Sequence, residues 1–120
     1  MDTIEMLRTA VWLFLLAALG GLAMAGIRFG RKRNPPAWLS MLHGLLAAAG
    51  LTLVIYAGFT GDAPALARVG GGLLLLAAAG GVFLNLGYNW KDRLDPASIV
   101  ILHALLAVAG FACVVLGAYG

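Results

Sequence analysis

The sequence predicts an all-α integral membrane protein: a four-transmembrane-helix up-down bundle made of two tandem, parallel helical-hairpin repeats. Three observations predict it. The composition is apolar, four apolar stretches have membrane-spanning length, and the chain matches itself without a gap at an offset of 60 residues. Of 120 residues, 62% are hydrophobic and 11% charged. A soluble body this small has too much surface for its volume to hide that apolar fraction, whereas a lipid-facing one need not hide it. Four spans of about 20 residues each use nearly the whole chain. Any chemistry therefore sits between the helices or on their short loops.

The first stretch, about 6–28, follows Asp2 and Glu5 rather than the basic start of a secretory signal. It is also too long for a signal-peptide core, so it reads as a retained helix. It ends where charge begins, at Arg28 and Arg31-Lys32-Arg33. Asn34-Pro35-Pro36 turns the chain, and proline suits the first turn of a new helix. The second stretch is about 37–59 and runs out at Gly58 to Pro64; the third is about 65–89. In the next turn, Lys91 to Pro96, Asp95 is the expected N-cap and Pro96 the first helical residue. The fourth stretch, about 97–119, completes a first hairpin of 1–60 and a second of 61–120.

Orientation follows from the basic residues. Arg28, Arg31, Lys32, Arg33, Lys91 and Arg93 flank the 1–2 and 3–4 turns, against Arg8 and Arg68 at the other end. The positive-inside rule makes both basic turns cytoplasmic and puts both termini outside, in a multi-pass protein of the inner (plasma) membrane. Contact with anionic lipid head groups is the first role of these cations. They form no extended basic stripe, which argues against nucleic-acid binding. The single Cys113 lies in an apolar run and reads as a small hydrophobe.

Residues 13–60 pair with 73–120, and 18 of these 48 pairs are identical. Leucine, alanine and glycine matches come easily in this composition. The rarer ones carry the inference: Arg33 with Arg93, Pro36 with Pro96, His43 with His103, and Gly20-Gly21 with Gly80-Gly81. A repeat that crosses the membrane twice re-enters with the same orientation, so equivalent residues lie at equal depth about an axis along the membrane normal. The second and fourth helices are then diagonal partners.

His43 and His103 are the only histidines. Each lies seven residues after the proline that opens its helix, ~10 Å inside the cytoplasmic end at 1.5 Å per residue. An ionisable group at that depth is costly and is a functional hypothesis by default. The face of His43 continues through Ala47, Gly50 and Val54, and that of His103 through Ala107, Gly110 and Val114. Gly20, Gly21, Gly80 and Gly81 fall at the same level on the other two helices. Two imidazoles facing across the bundle, with glycines around them, leave a flat space that suits haem b. His43 and His103 are then the axial ligands of the haem iron, and the glycines admit the ring edge. Arg33 and Arg93 are placed by symmetry to meet the propionates.

This arrangement resembles the membrane b-type cytochromes, in which histidines on diagonal helices of a four-helix bundle hold haem. The resemblance covers the histidine pair, the glycines and the helix count. It implies electron exchange with a quinone or quinol, or with a respiratory-chain partner. Those families usually carry two histidine pairs; this chain carries one. Two other readings stay open. In one, the histidines hydrogen-bond between helices of a non-catalytic accessory subunit or homo-oligomer. In the other, oligomers form a transporter, although few polar groups line any path. No serine or threonine forms a set with both a histidine and a carboxylate, which argues against hydrolysis. Two imidazoles without a nearby Cys, Asp or Glu make a poor zinc site.

Overall fold

Asp2 and Glu5 start the first helix earlier than its apolar stretch. The Glu5 backbone N–H donates to Asp2 Oδ1 at 2.8 Å, and the Asp2 N–H donates to Glu5 Oε2 at 3.0 Å. This reciprocal capping box satisfies two of the donors that a helix start leaves unpaired. The computed structural model describes residues 1–120 and is all-helical. Helix α1 is Thr3–Gly30, α2 Ala37–Thr60, α3 Ala65–Gly87 and α4 Ala97–Tyr119, with a single 3-10 turn at Asn89–Lys91. All four are long and apolar enough to cross a membrane. The third helix ends at Gly87 rather than near 89, because the chain tightens into the 3-10 turn.

The start of α4 differs from expectation. The N-cap position falls on Pro96, whose backbone is extended, and no side chain caps the helix. Asp95 therefore lies one residue too early, and its carboxylate is free of capping duty. The two basic loops turn alike: Lys32 and Asp92, 60 residues apart, both take the left-handed conformation with φ of 53°.

Each helix packs on two others. α1 lies against α2 and α4, and α3 against α2 and α4, leaving α1–α3 and α2–α4 as diagonals. Packing is closest within the hairpins α1–α2 and α3–α4. The bundle is 43 Å long and 22 × 21 Å across. Its two halves are built differently. Away from the basic loops, Leu7, Ala10, Val11, Phe14, Leu51, Val54, Ala57, Ala67, Leu74, Val114 and Ala118 form one continuous core. Toward the loops the helices part around a cavity instead. Only 22 of 120 residues are buried, so most apolar side chains face outward; Leu19, Phe59, Leu105 and Leu116 are more than half exposed.

Close backbone approach holds the α3–α4 pair. A Cβ on Gly70 meets the Gly110 carbonyl oxygen at 2.7 Å and the Val114 nitrogen at 2.9 Å. Backbone cannot swing aside as a side chain can. Gly70→Ala is expected to lower stability by about 1–3 kcal/mol through overpacking. A Cβ on Gly26 would instead stand in open space, with nothing within 4 Å. Gly26→Ala should therefore be neutral or up to ~1 kcal/mol stabilising through helix propensity. Thermal unfolding of the two variants in detergent, followed by circular dichroism, reads the contrast.

Candidate cofactor site

The site begins with a surface made bare. Ala17, Gly20 and Gly21 on α1 leave the helix backbone unshielded, and His43 of α2 packs into the gap. Its Nδ1–H donates to the Ala17 carbonyl at 2.7 Å. The second hairpin repeats this: His103 of α4 packs on Gly80 and Gly81 of α3, and its Nδ1–H donates to the Ala77 carbonyl at 2.6 Å. A carbonyl oxygen only accepts, so Nδ1 carries the proton in both rings and Nε2 keeps its lone pair. A Cβ on Gly21 stands 3.1 Å from His43 Cε1, and a Cβ on Gly81 stands 3.1 Å from His103 Cε1. The glycine pairs thus seat the imidazoles themselves.

The two rings face each other across the bundle, with centroids 6.2 Å apart and planes at 75°. Both line one cavity of about 560 Å³ to which all four helices contribute and which opens to the outside of the bundle past Leu22, Val82 and Val108. Its floor is Phe14 and Phe111, whose rings meet edge-to-face with centroids 6.4 Å apart. Above them the wall is small and apolar, with Ala47, Ala77, Ala104 and Ala107 among its residues.

The structure divides the residues singled out from the sequence. His43, His103, Gly21 and Gly81 line the cavity. Gly20 and Gly80 do not line it; a Cβ on either would stand 3.7 or 3.8 Å from the histidine side chain, in ordinary contact. Gly50 and Gly110 serve packing instead. A Cβ on Gly50 meets the Phe14 ring at 2.7 Å, and one on Gly110 meets Leu74 Cγ at 2.8 Å. These are again equivalent pairs, each a large side chain set onto a glycine. Arg33 and Arg93 are exposed on the loops, and the Arg93 guanidinium lies 5.1 Å from the Tyr88 ring centroid. The cation that lines the cavity is Arg28.

At its loop end the cavity gains Arg28, Ser40, Asn85, Asn89 and Asp95. The two loops are laced above it. Asn34 Nδ2 donates to the Arg93 carbonyl at 2.6 Å, and the Asp95 N–H donates to Asn34 Oδ1 at 2.8 Å. Arg28 Nε donates to the Asp95 carbonyl at 2.8 Å. Asp95 is 7% exposed, and its Oδ1 has no hydrogen-bond partner; neither does the buried Ser40 Oγ. Burial pushes the Asp95 carboxyl above its ordinary pKa, and the nearby Arg28 charge draws it partly back. The sequence placed Arg28 at the cytoplasmic boundary and Asp95 at a helix cap, and gave neither them nor Ser40, one turn before His43, a role at the site. Their signal is departure from the repeat: the positions 60 residues away hold Tyr88, Val100 and Pro35.

The donor set suits a haem iron. A ligating imidazole characteristically donates its other ring N–H to a carbonyl or carboxylate, which fixes its tautomer and orientation. In comparisons with protein-family models, curated proteins and solved structures, nothing matches the chain.

The raised Asp95 pKa has a consequence for stability. The folded state binds the Asp95 proton more tightly than the unfolded chain does, so this contribution is complete below the ordinary value of 3.8. It is lost as pH rises through the folded-state pKa. Wild-type protein in detergent should therefore lose melting temperature over that rise, and Asp95→Asn should flatten the dependence. An unchanged pH profile in the variant contradicts the assignment.

Proposed function

We propose that this chain is a small integral membrane protein of the inner (plasma) membrane that holds haem b between His43 and His103 in its four-helix core. It exchanges single electrons with a quinol or a partner protein. The observation that carries the reading is the histidine pair: two rings at 6.2 Å, each anchored through Nδ1 to a carbonyl, sharing one apolar cavity. A haem bound there supplies reversible one-electron redox chemistry. The residues supply the rest. His43 and His103 present Nε2 lone pairs, Gly21 and Gly81 set the ring positions, and Phe14 and Phe111 close the floor. Arg28 is the cation available to the carboxylates of the cofactor.

Insertion belongs to the same proposal. The 43 Å length matches the roughly 40–45 Å of a bilayer with its head groups. The apolar exterior suits lipid. Trp38 and Trp90 are 68% and 64% exposed near the loop end, where an aromatic belt meets the interface. The basic loops face the cytoplasm and both termini lie outside. The two hairpins arose as parallel repeats, and the equivalent histidine contacts support that origin.

The hydrogen bonds also favour a second reading. His43 ties α2 to α1 and His103 ties α4 to α3, which by itself suits a non-catalytic accessory subunit. Absorption spectra separate the two. Protein expressed with ample haem should show a strong Soret band and sharp bands on dithionite reduction. His43→Ala or His103→Ala should abolish that low-spin spectrum. A colourless wild type leaves the accessory reading standing.

The glycines give a finer check. A methyl group on Gly21 or Gly81 presses on Cε1 of the ring it seats. Gly21→Ala and Gly81→Ala should each weaken haem retention by about tenfold, the lower end of the effect of disturbing a ligand's supporting contacts. Haem transfer to apomyoglobin measures this. Retention equal to wild type removes the glycines from the site.

A further inference from the structure

The end of the bundle away from the basic loops keeps the repeat in its arginines and breaks it around them. Arg8 and Arg68 are 60 residues apart, each near the start of the first helix of its hairpin. Arg8 is tied: its Nε donates to the Ala118 carbonyl at 3.1 Å, and its guanidinium lies 4.5 Å from the Tyr119 ring centroid. The Arg68 side chain is exposed and has neither an acceptor nor a ring. Beside it a groove of about 470 Å³ runs between α2 and α3, lined by Phe59, Leu75 and the glycines Gly58, Gly71 and Gly72 among others. The equivalent crevice, between α1 and α4, holds no such groove. There Ala118, Val11 and Trp12 stand at the places of the three glycines. A Cβ on Gly72 has nothing within 4 Å, so the place of the missing indole is open space rather than a closer helix contact.

We propose that this groove is a phospholipid site, in which an acyl chain lies between α2 and α3 and the lipid phosphate pairs with Arg68. Charge and shape select the class. The groove is apolar except for one cation. Arg68 is the fourth residue of α3, roughly 5 Å from the helix start at 1.5 Å per residue. In the bilayer placement proposed above, that is the level of the head groups. Leu75 lies two turns deeper, roughly 10 Å farther along the helix, at the level of the chains. A guanidinium matches phosphate oxygens two at a time. A soluble anion lacks the apolar body that fills the groove, and a neutral apolar molecule leaves the guanidinium without a partner. A phosphate carried on an acyl chain supplies both.

The inference rests on insertion into a bilayer and is independent of haem. The test is native mass spectrometry of the purified full chain in a non-ionic detergent. The chain is titrated with palmitoyl-oleoyl phosphatidylglycerol, or with the diacylglycerol of the same chains, which lacks the phosphate. One phosphatidylglycerol should bind about tenfold tighter than the diacylglycerol, as a hydrogen bond to a charged group warrants. Arg68→Gln should erase that preference. Arg8→Gln should leave it in place, because Arg8 is already engaged. Gly72→Trp, which repeats Trp12 at the equivalent position, should weaken both lipids by filling the groove. Equal affinity for the two lipids in wild type overturns the proposal, as do equal losses from Arg8→Gln and Arg68→Gln, which mark a general attraction of charge. Wild-type lipid binding in Gly72→Trp overturns it too. So does a dimer that Gly72→Trp dissolves, since the groove is then an interface between copies. Recovery of the chain from the soluble fraction of cells overturns insertion and this site together; a membrane-bound chain without the preference overturns this site alone.

Discussion

An imidazole can donate to the carbonyl of a neighbouring helix only where that helix has no side chain in the way. This constraint fixes most of the site. Gly21 and Gly81 leave that room, and His43 and His103 reach the Ala17 and Ala77 carbonyls at 2.7 and 2.6 Å. One contact then sets three properties. It sets the spacing of the two helices in each hairpin, assigns the ring proton to Nδ1, and turns Nε2 to other use. In an apolar surrounding, where the carbonyl has little else to bind, the contact gains strength from the missing competition of water.

The same device, a large group set onto a glycine, makes the other half of the bundle solid. Phe14 sits on Gly50 and Leu74 on Gly110. Where helices expose this much apolar surface, close van der Waals packing between them matters most. Here that packing is concentrated at the end away from the basic loops, in the core from Leu7 to Ala118. The loop end is released from that duty and remains hollow. A cavity is costly in a uniformly packed protein; in this one it is supported from below by the aromatic floor and from above by the Asn34, Arg93 and Asp95 bonds between loops.

Much of this was legible in the sequence. Apolar length and the prolines of the preceding turns placed α2 and α4 at or within a residue of their observed bounds, and the offset of 60 residues pointed to the equivalence of the histidines. What was not legible has physical causes. The glycines were visible as small residues on the right level, but composition does not say what fills the space they leave; only the packing shows an imidazole there, and Phe14 and Leu74 at Gly50 and Gly110. Periodicity also cannot weigh two arginines against a third. Arg33 and Arg93 obey the repeat yet point away on exposed loops, whereas Arg28, one turn back in α1, reaches the cavity. Asp95 reads as a helix cap by its place before proline, but the chain begins its helical turns one residue too late for the carboxylate to serve.

Symmetry and its loss carry different information in a chain built this way. Residues that match at an offset of 60 fall on diagonal helices at the same height of the bundle, and His43 and His103 face each other there. A symmetric pair is well suited to a central atom that needs the same ligand from both sides. It is poorly suited to an asymmetric molecule, which needs a donor at one place and an apolar wall at its mirror position. The lower and middle parts of the cavity keep the repeat; the loop end, with Ser40 opposite the Val100 position and Asp95 opposite Pro35, has abandoned it. The division falls between the histidine pair, which keeps the repeat, and the polar loop end, which departs from it.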